Sequence, residues 1–484
     1  MNNWLKHFQD GRNVWLNGEK VENLIEHDAF KGTIQTISTL MREIEERDEV
    51  GFWNETLNQH SHKAFLIPKT LEDLQQRKAA FQFWSKKTYG VMSRLSDYAY
   101  SLITGYYIDR FEFDVYDPEF SRKIEKYFHE VQTEKRLVTT AIADPQIDRS
   151  KPIEERDEDA ILRIVKETDE GVVIRGAKMI ATGAPYVDDV IINTPFKDKE
   201  REKTYANFFI VPVNSKGLQI ICRDSYACTD IEKYPLSSQY DEMDAVLIFD
   251  DVLVSWDRVF IHGSAEGVTK AHRHQQLNSL AHHQTVVRLL VKLQFIAGVA
   301  TAIAESIGAN HFLHVQEKLG ELYTQIDSIE ALLISAEVQG KPSEKGIFLP
   351  DSVPLQVARN LGTHYYGEAL QILKQIGAGG YTQLPSTLIN RYDQSLIPLL
   401  EKYYKGVSVD AKTKTTLLRI GWELIGSTLG TRHDLYERYY TGDPVRINEQ
   451  FFENYDKKYL EKRLENFFGK YKIQEELYEH ETTI

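Results

Sequence analysis

A chain of 484 residues that is 42% apolar and 27% charged has material for several packed units and the composition of an ordinary globular protein. Its formal charge of −14 repels phosphate backbones and anionic lipid, which argues against nucleic acid or a membrane surface as partner. Two cysteines, Cys222 and Cys228, exclude a disulfide framework and are too few for an all-cysteine zinc or iron–sulfur centre. The apolar run from Phe295 to Ala304 stops at Glu305, too short to cross a bilayer, and the N-terminus lacks the apolar core of a signal peptide. A cytoplasmic location is expected.

Residues 1–137 read as a mainly helical unit opened by a hairpin, in which Asn17-Gly18 supplies the positive φ angles between Val14-Trp15-Leu16 and Glu19-Lys20-Val21. Thr70 with Asp73 forms a capping box, predicting a helix from Leu71. That helix and its successor are expected to present Arg94 and Tyr98 one turn apart on one face. Across 138–265 the period becomes alternating, in Ile161–Val165, Gly171–Arg175, Asp189–Asn193, Asn207–Val213, Leu218–Cys222 and Ala245–Phe249. With no helical segment between these runs, an antiparallel barrel or sandwich is favoured over a doubly wound sheet. Residues 266–484 return to long helices; Val315, Leu319, Leu322, Ile326, Ile329 and Leu333 mark the seam of a bundle helix. Val407–Lys414 is expected as a surface loop and Tyr459–Tyr471 as a last amphipathic helix.

Several polar segments stand out. Arg94 and Tyr98 read, on their own, as a surface arginine beside a core tyrosine. Asp144-Pro-Gln-Ile-Asp-Arg-Ser150 reads as a turn with a surface ion pair, and Gln375-Ile-Gly-Ala-Gly-Gly-Tyr381 as a helix cap and turn. The latter is not a dinucleotide fingerprint, because no strand precedes it. His272, His274, His282 and His283 lack the carboxylate partner at helical spacing that a hydrolytic zinc site would show, so no metal is expected.

Taken together, the run Leu71-Glu-Asp-Leu74, Arg77, Trp84, Gly90, Arg94, Asp97, Tyr98, the Asp144–Ser150 segment, and Arg438-Tyr-Tyr-Thr-Gly-Asp-Pro-Val-Arg446 resemble the 4-hydroxyphenylacetate 3-monooxygenase oxygenase family over nearly the whole chain. The order helices, β unit, helical bundle is similar to the acyl-CoA dehydrogenase superfamily plan, an α+β fold with a central antiparallel barrel. The resemblance implies FADH2 supplied by a separate NAD(P)H:flavin reductase, reaction with O2 to a C4a-hydroperoxyflavin, and hydroxylation of a phenolic or other electron-rich aromatic. It implies that Arg94 and Tyr98 contact the aromatic substrate, with Thr140, Asn193 and Thr194 beside it. Gln146, Ile147, Asp148, Arg149, Thr182, Gly377, Gly379, Gly380, Thr441, Gly442, Asp443 and Pro444 are implied as flavin contacts, and a homotetramer as the assembly. One departure matters: Thr140 stands where the family places a histidine, and threonine cannot exchange a proton at neutral pH. This leaves the base role to His283 or its compensation to Arg94. Three rival readings share the architecture: an acyl-CoA dehydrogenase-like flavoprotein, a 4-hydroxybutyryl-CoA dehydratase-like lyase, and a non-catalytic flavin-binding subunit.

Overall fold

The computed structural model describes residues 3–148, 150–151, 155, 157, 161–193, 202–439 and 442–471. Arg149, Thr194 and Thr441 lie outside the described residues. The opening hairpin forms as β1 (Asn13–Leu16) and β2 (Glu19–Lys20), with Asn17 at φ 55° and Gly18 at φ 83°. Next come α1 (Lys31–Glu46), the hairpin β3 (Gly51–Asn54) and β4 (Gln59–His62), α2 (Leu71–Lys87), α3 (Ser96–Ile108) and α4 (Phe120–Thr133). α2 starts as expected: the Thr70 hydroxyl accepts the Asp73 N–H at 3.2 Å while the Asp73 carboxylate accepts the Thr70 N–H at 3.0 Å. Its end differs from the reading of the sequence. The chain turns at Tyr89 and Gly90, both at positive φ, and runs irregularly until Ser96, so Arg94 lies on a loop and not on a helix face.

The middle of the chain supplies β5 (Val138–Thr140), β6 (Arg163–Glu167), β7 (Gly171–Lys178), β8 (Asp189–Asn193), the short α5 (Glu202–Tyr205), β9 (Phe208–Pro212), β10 (Leu218–Cys222), the short α6 (Ser237–Tyr240), β11 (Ala245–Ser255) and β12 (Val259–Ile261). Among the described residues no closed barrel forms. The described strands form a six-stranded sheet, β2-β1-β10-β11-β7-β6, and a four-stranded sheet, β12-β9-β8-β5. Two pairs are parallel, β1 with β10 and β5 with β8. Alternation in sequence reports only that one face is buried, a property that closed barrels and open sheets share. β11 displays it, with alternate residues buried and exposed and a break in register between Phe249 and Val252. β8 is buried throughout, as a strand covered on both faces must be.

The remainder is helical: α7 (Ala265–Arg273), α8 (Gln275–Ser306), α9 (Leu313–Val338), a small hairpin of β13 (Lys341–Pro342) and β14 (Phe348–Leu349), α10 (Ser352–Gly377), α11 (Ile397–Tyr404), α12 (Ala411–Ile425), α13 (Thr428–Tyr439), α14 (Pro444–Asn454) and α15 (Lys458–Tyr471). α8 is the central helix, packed by α2, α3, α9, α10 and α12. The stretch 265–306 is long and apolar enough to cross a bilayer, and 72% of its most apolar window is buried inside the protein. On α9 the expected seam residues Val315, Leu319, Leu322, Ile329 and Leu333 are buried, with Ile326 half-buried. The loop expected to reach Lys414 ends sooner, because the Asp410 carboxylate caps α12 by accepting the Thr413 N–H at 2.7 Å.

Candidate active site

The first turn of α3 is pinned to β5, where the Ser96 hydroxyl accepts the Val138 N–H at 3.0 Å. This contact sets the loop that carries Arg94 against the strand that carries Thr140. Arg94 and Tyr98 are both half-buried, and the guanidinium carbon lies 4.6 Å from the centre of the Tyr98 ring. The Arg94 Nε donates to the Tyr436 hydroxyl at 3.2 Å, and its backbone N–H donates to Glu242 at 2.6 Å. A cation lying on an aromatic face at such a distance is an electrostatic attraction with a defined plane. Between these two residues in sequence and the core sits Asp97, 1% exposed, whose two carboxylate oxygens each accept from the Gln284 amide at 3.1 Å. Burial pushes the Asp97 carboxyl up to about 7, against the Gln284 hydrogen bond.

β5 pairs with β8, placing Thr140 beside Ile191, two residues before Asn193. Asn193 is 3% exposed, and neither its amide nitrogen nor its amide oxygen has a partner in hydrogen-bond geometry among the described residues. The Tyr106 phenol is a polar neighbour; burial raises it above its ordinary value and the Asn193 amide opposes the rise. An unsatisfied buried amide costs about 1–3 kcal/mol, and such a cost persists where a ligand supplies the missing partners. α3 thus meets β5 at Ser96 and Val138, and β5 in turn pairs with β8, the strand that ends in Asn193.

A buried ionic network backs this corner. Arg432 of α13 grips Asp244 with two hydrogen bonds of 2.8 and 2.6 Å and reaches Glu242 at 3.5 Å; Arg223 adds a bond to Asp244 at 3.0 Å and one to Asp241 at 2.6 Å. Although burial opposes it, the two guanidiniums hold the Asp244 carboxyl well below the usual carboxylate range. One turn on, Glu437 accepts from Arg288 at 2.8 and 2.9 Å, from Lys292 at 2.8 Å and from the Ser93 hydroxyl at 3.0 Å. These residues were not legible as site residues, although two signals exist: the acidic run Asp241-Glu-Met-Asp244 before a strand, and Arg432, Tyr436 and Glu437 at helical spacing just ahead of Arg438–Arg446.

Downstream of Thr140 the chain keeps to the sheet rim. Ala143 bridges to Met179, and the fully buried Lys178 ammonium donates to the Asp144 carboxylate at 2.5 Å and the Ile142 carbonyl at 3.2 Å. Beyond this anchor Gln146 is exposed and Asp148 half-buried, and Ile142, Ile147 and Ile180 are 36%, 62% and 54% exposed. An apolar rim flanked by amide and carboxylate groups fits a flat heteroaromatic cofactor that buries one face and hydrogen-bonds at its edge.

Other expected site residues have local duties. Thr182 is 1% exposed, and its hydroxyl donates to Asp244 at 2.6 Å, so it touches the ionic network directly. Gly377 is forced by packing, since a Cβ there would lie 2.2 Å from the Tyr381 ring. Gly379 and Gly380 follow in a 3-10 turn, and Gly379 is exposed. Gly442 sits at φ 114°, Asp443 caps α14 through the Val445 N–H at 3.1 Å, and Pro444 takes the first helical position, where its missing N–H costs nothing. His283 is fully buried against α2 and α9, bonded to Glu337 at 2.9 Å, with Lys78 on the other Glu337 oxygen at 2.9 Å. Burial pulls the imidazole below its ordinary value, against the Glu337 bond. Its neighbour Gln284, not His283, faces Asp97 next to the Arg94 corner, while His282 meets Arg359 at 3.3 Å. The histidines therefore diverge, because successive positions on one helix point about 100° apart.

Comparison with known proteins matches this frame. Family models described as 4-hydroxyphenylacetate 3-hydroxylase N terminal and C terminal cover residues 1–261 and 270–469. The 4-hydroxyphenylacetate 3-monooxygenase oxygenase component of Thermus thermophilus is 35% identical over 460 residues, 94% of each chain. The oxygenase component of a 4-nitrophenol 2-monooxygenase from Rhodococcus sp is 30% identical, covering 92% of this chain and 86% of that protein. A crystal structure of a 4-hydroxyphenylacetate 3-monooxygenase oxygenase component complexed with FAD and 4-hydroxyphenylacetate superposes with a TM-score of 0.90 at 33% identity, covering 96% of this chain and 98% of that one. Fold and site define the class: a mixed α+β flavoprotein, the oxygenase component of a flavin-dependent aromatic monooxygenase. Within that class the chain belongs to the 4-hydroxyphenylacetate 3-hydroxylase family.

Proposed function

We propose that this chain takes FADH2 from a separate NAD(P)H-dependent flavin reductase and inserts one atom of O2 into the ring of a small phenol held by Arg94 and Tyr98. The observation that carries this reading is the half-buried Arg94 guanidinium lying over the Tyr98 ring. Bound reduced flavin supplies the activated oxygen. The chain's own residues do the rest. A phenol with an ordinary value of about 10 is a poor nucleophile at neutral pH, and a nearby fixed cation favours its ionised form. Arg94 serves as that cation, Tyr98 bounds the ring, and Asn193 completes its hydrogen bonding on the substrate. Thr140 contributes a hydroxyl that donates or accepts but does not take up a proton at neutral pH. His283, engaged by Glu337 in the helix seam, acts at most through the packing of α8, so the task of ionising the phenol falls on Arg94.

Gln146, Ile147 and Asp148, together with Arg149, form the flavin side, and the deep position of the Arg94 corner keeps water from the reacting oxygen. Thr182, Gly377, Gly379, Gly380, Gly442, Asp443 and Pro444 are assigned to the flavin side, and Thr441, outside the described residues, is kept with them on the resemblance alone. Exposed apolar side chains on the C-terminal helices, among them Leu399, Tyr403, Trp422 and Leu435, support a homo-oligomer, which we take to be a tetramer working in the cytoplasm. The division into units at 1–137, 138–265 and 266–484 is kept as a working description.

The relatives act on phenols of different acidity, and the decisive experiment uses both. Protein loaded anaerobically with FADH2 is mixed with oxygenated buffer and either 4-hydroxyphenylacetate or 4-nitrophenol, and ring-hydroxylated product is weighed against hydrogen peroxide. Hydroxylated product from one of them is the expected result. Peroxide alone, with these and with a wider panel of phenols, would overturn the proposal.

A further inference from the structure

We propose that Tyr436 of α13 is the positioning residue that aims Arg94, so that the C-terminal bundle dictates how the substrate cation is presented. This deepens the reading of Arg94 as the phenol-binding cation and rests on it.

Arg94 lies on a loop, where no helical backbone fixes its direction. A long side chain in that setting samples many rotamers, so a specific plane for the guanidinium has to be imposed from outside. Two contacts impose it: the Tyr98 face at 4.6 Å and the Tyr436 hydroxyl, which accepts from Nε at 3.2 Å. The first sets the plane, and the second sets the rotation within that plane. The hydroxyl is itself held in place. The Arg432 guanidinium lies 4.1 Å from the centre of the Tyr436 ring, and Arg432 is clamped by Asp244 at 2.8 and 2.6 Å. On the following residue, Glu437 ties α13 to Arg288, Lys292 and Ser93, the residue immediately before Arg94. Glu242 then joins the two sides, accepting the Arg94 backbone N–H at 2.6 Å and facing Arg432 at 3.5 Å. Main chain, side chain and preceding residue of Arg94 are thus each referred to one helix or to its partners, and Tyr436 acts on the guanidinium through a hydroxyl that can be removed while leaving its ring behind.

The substitution Tyr436→Phe deletes the acceptor and keeps the ring against Arg432. Binding of 4-hydroxyphenylacetate to the full-length, FADH2-loaded protein is measured anaerobically, alongside FADH2 affinity and thermal midpoint. The expected result is a loss of about tenfold in affinity for the phenol, the size of one hydrogen bond to a charged group, with FADH2 affinity and midpoint unchanged. Placed on an Arg94→Lys background, which has no Nε, the same substitution is expected to change the affinity less than about twofold. An equal loss on both backgrounds, or no loss on the native one, overturns the inference. A crystal structure of ligand-free Tyr436→Phe separates this outcome from a failure to bind the chosen phenol: the guanidinium is expected to rotate on the Tyr98 face, and its retention in the native orientation overturns the inference whatever the substrate proves to be.

Discussion

Two irregular segments, one proposed for the phenol and one for the flavin, are held in opposite ways. The loop at Ser93 and Arg94 has no regular structure, yet Glu437 and the Tyr436 hydroxyl of α13, with Glu242 just before β11, fasten it at Ser93 Oγ, Arg94 Nε and Arg94 N. The segment 142–148 is tied to the sheet by one bridge and by Lys178, and its tip at Ile147 is 62% exposed. A large flat cofactor brings enough apolar area to order a loose rim as it binds, whereas a small phenol has little area and depends on groups already in place. The desolvated ion pairs therefore sit on the side proposed for the smaller ligand.

The hardest blow to that contrast is Glu437→Leu, which strands the Arg288 and Lys292 charges inside the protein. It should cost about 3–5 kcal/mol of unfolding free energy, read from the urea midpoint; a loss under about 1 kcal/mol would mean that the clamp is solvated. Next in size is Arg94→Met, expected to lower kcat/KM for a hydroxylated phenol by about 10–100-fold with FADH2 affinity unchanged, since hydrogen bonds to charged groups contribute about 1.5–3 kcal/mol. Lys178→Met sharpens the comparison from the other side: it should weaken FADH2 by about tenfold in an anaerobic titration and leave phenol affinity alone, in keeping with the loss of one charge-assisted bond. The gentlest effect is graded by pH. Asp97 has its carboxyl raised to about 7 by burial, so the folded protein binds a proton there that the unfolded chain gives up near 4. Native stability should accordingly fall as pH rises between those values. Asp97→Asn carries no such proton, and its advantage over the native chain, followed by denaturation at a series of pH values, should be smallest near pH 4, grow toward pH 7 and level off above it.

Much of the frame was legible. The Asn17-Gly18 hairpin, the Thr70 capping box, the α9 seam and most strands follow from local rules that act over a few residues. The errors arose where local rules run out. Alternation cannot say whether the first and last strands of a sheet meet; it predicts a barrel or sandwich equally, and among the described residues the strands form two sheets with no closed barrel. Nothing in Val91–Leu95 announces the break that Tyr89 and Gly90 impose, so the sequence predicts a helix at Arg94 where the chain runs as a loop. His283 was offered as a base from its place in the chain, but which side of α8 it faces depends on α2 and α9, and the imidazole turned to Glu337. Arg432, Tyr436 and Asp244 were invisible for the same reason: their meaning is a set of distances between residues far apart in the sequence.

The hairpin strand β1 lies beside β10, residue 13 against residue 219, through parallel hydrogen bonding. During synthesis this strand therefore has no neighbour on one edge until the ribosome has made most of the middle of the protein. Its sheet is completed by a late homecoming, and a fusion tag bulky enough to delay that return would be felt in the yield of active enzyme long before it disturbed the finished molecule.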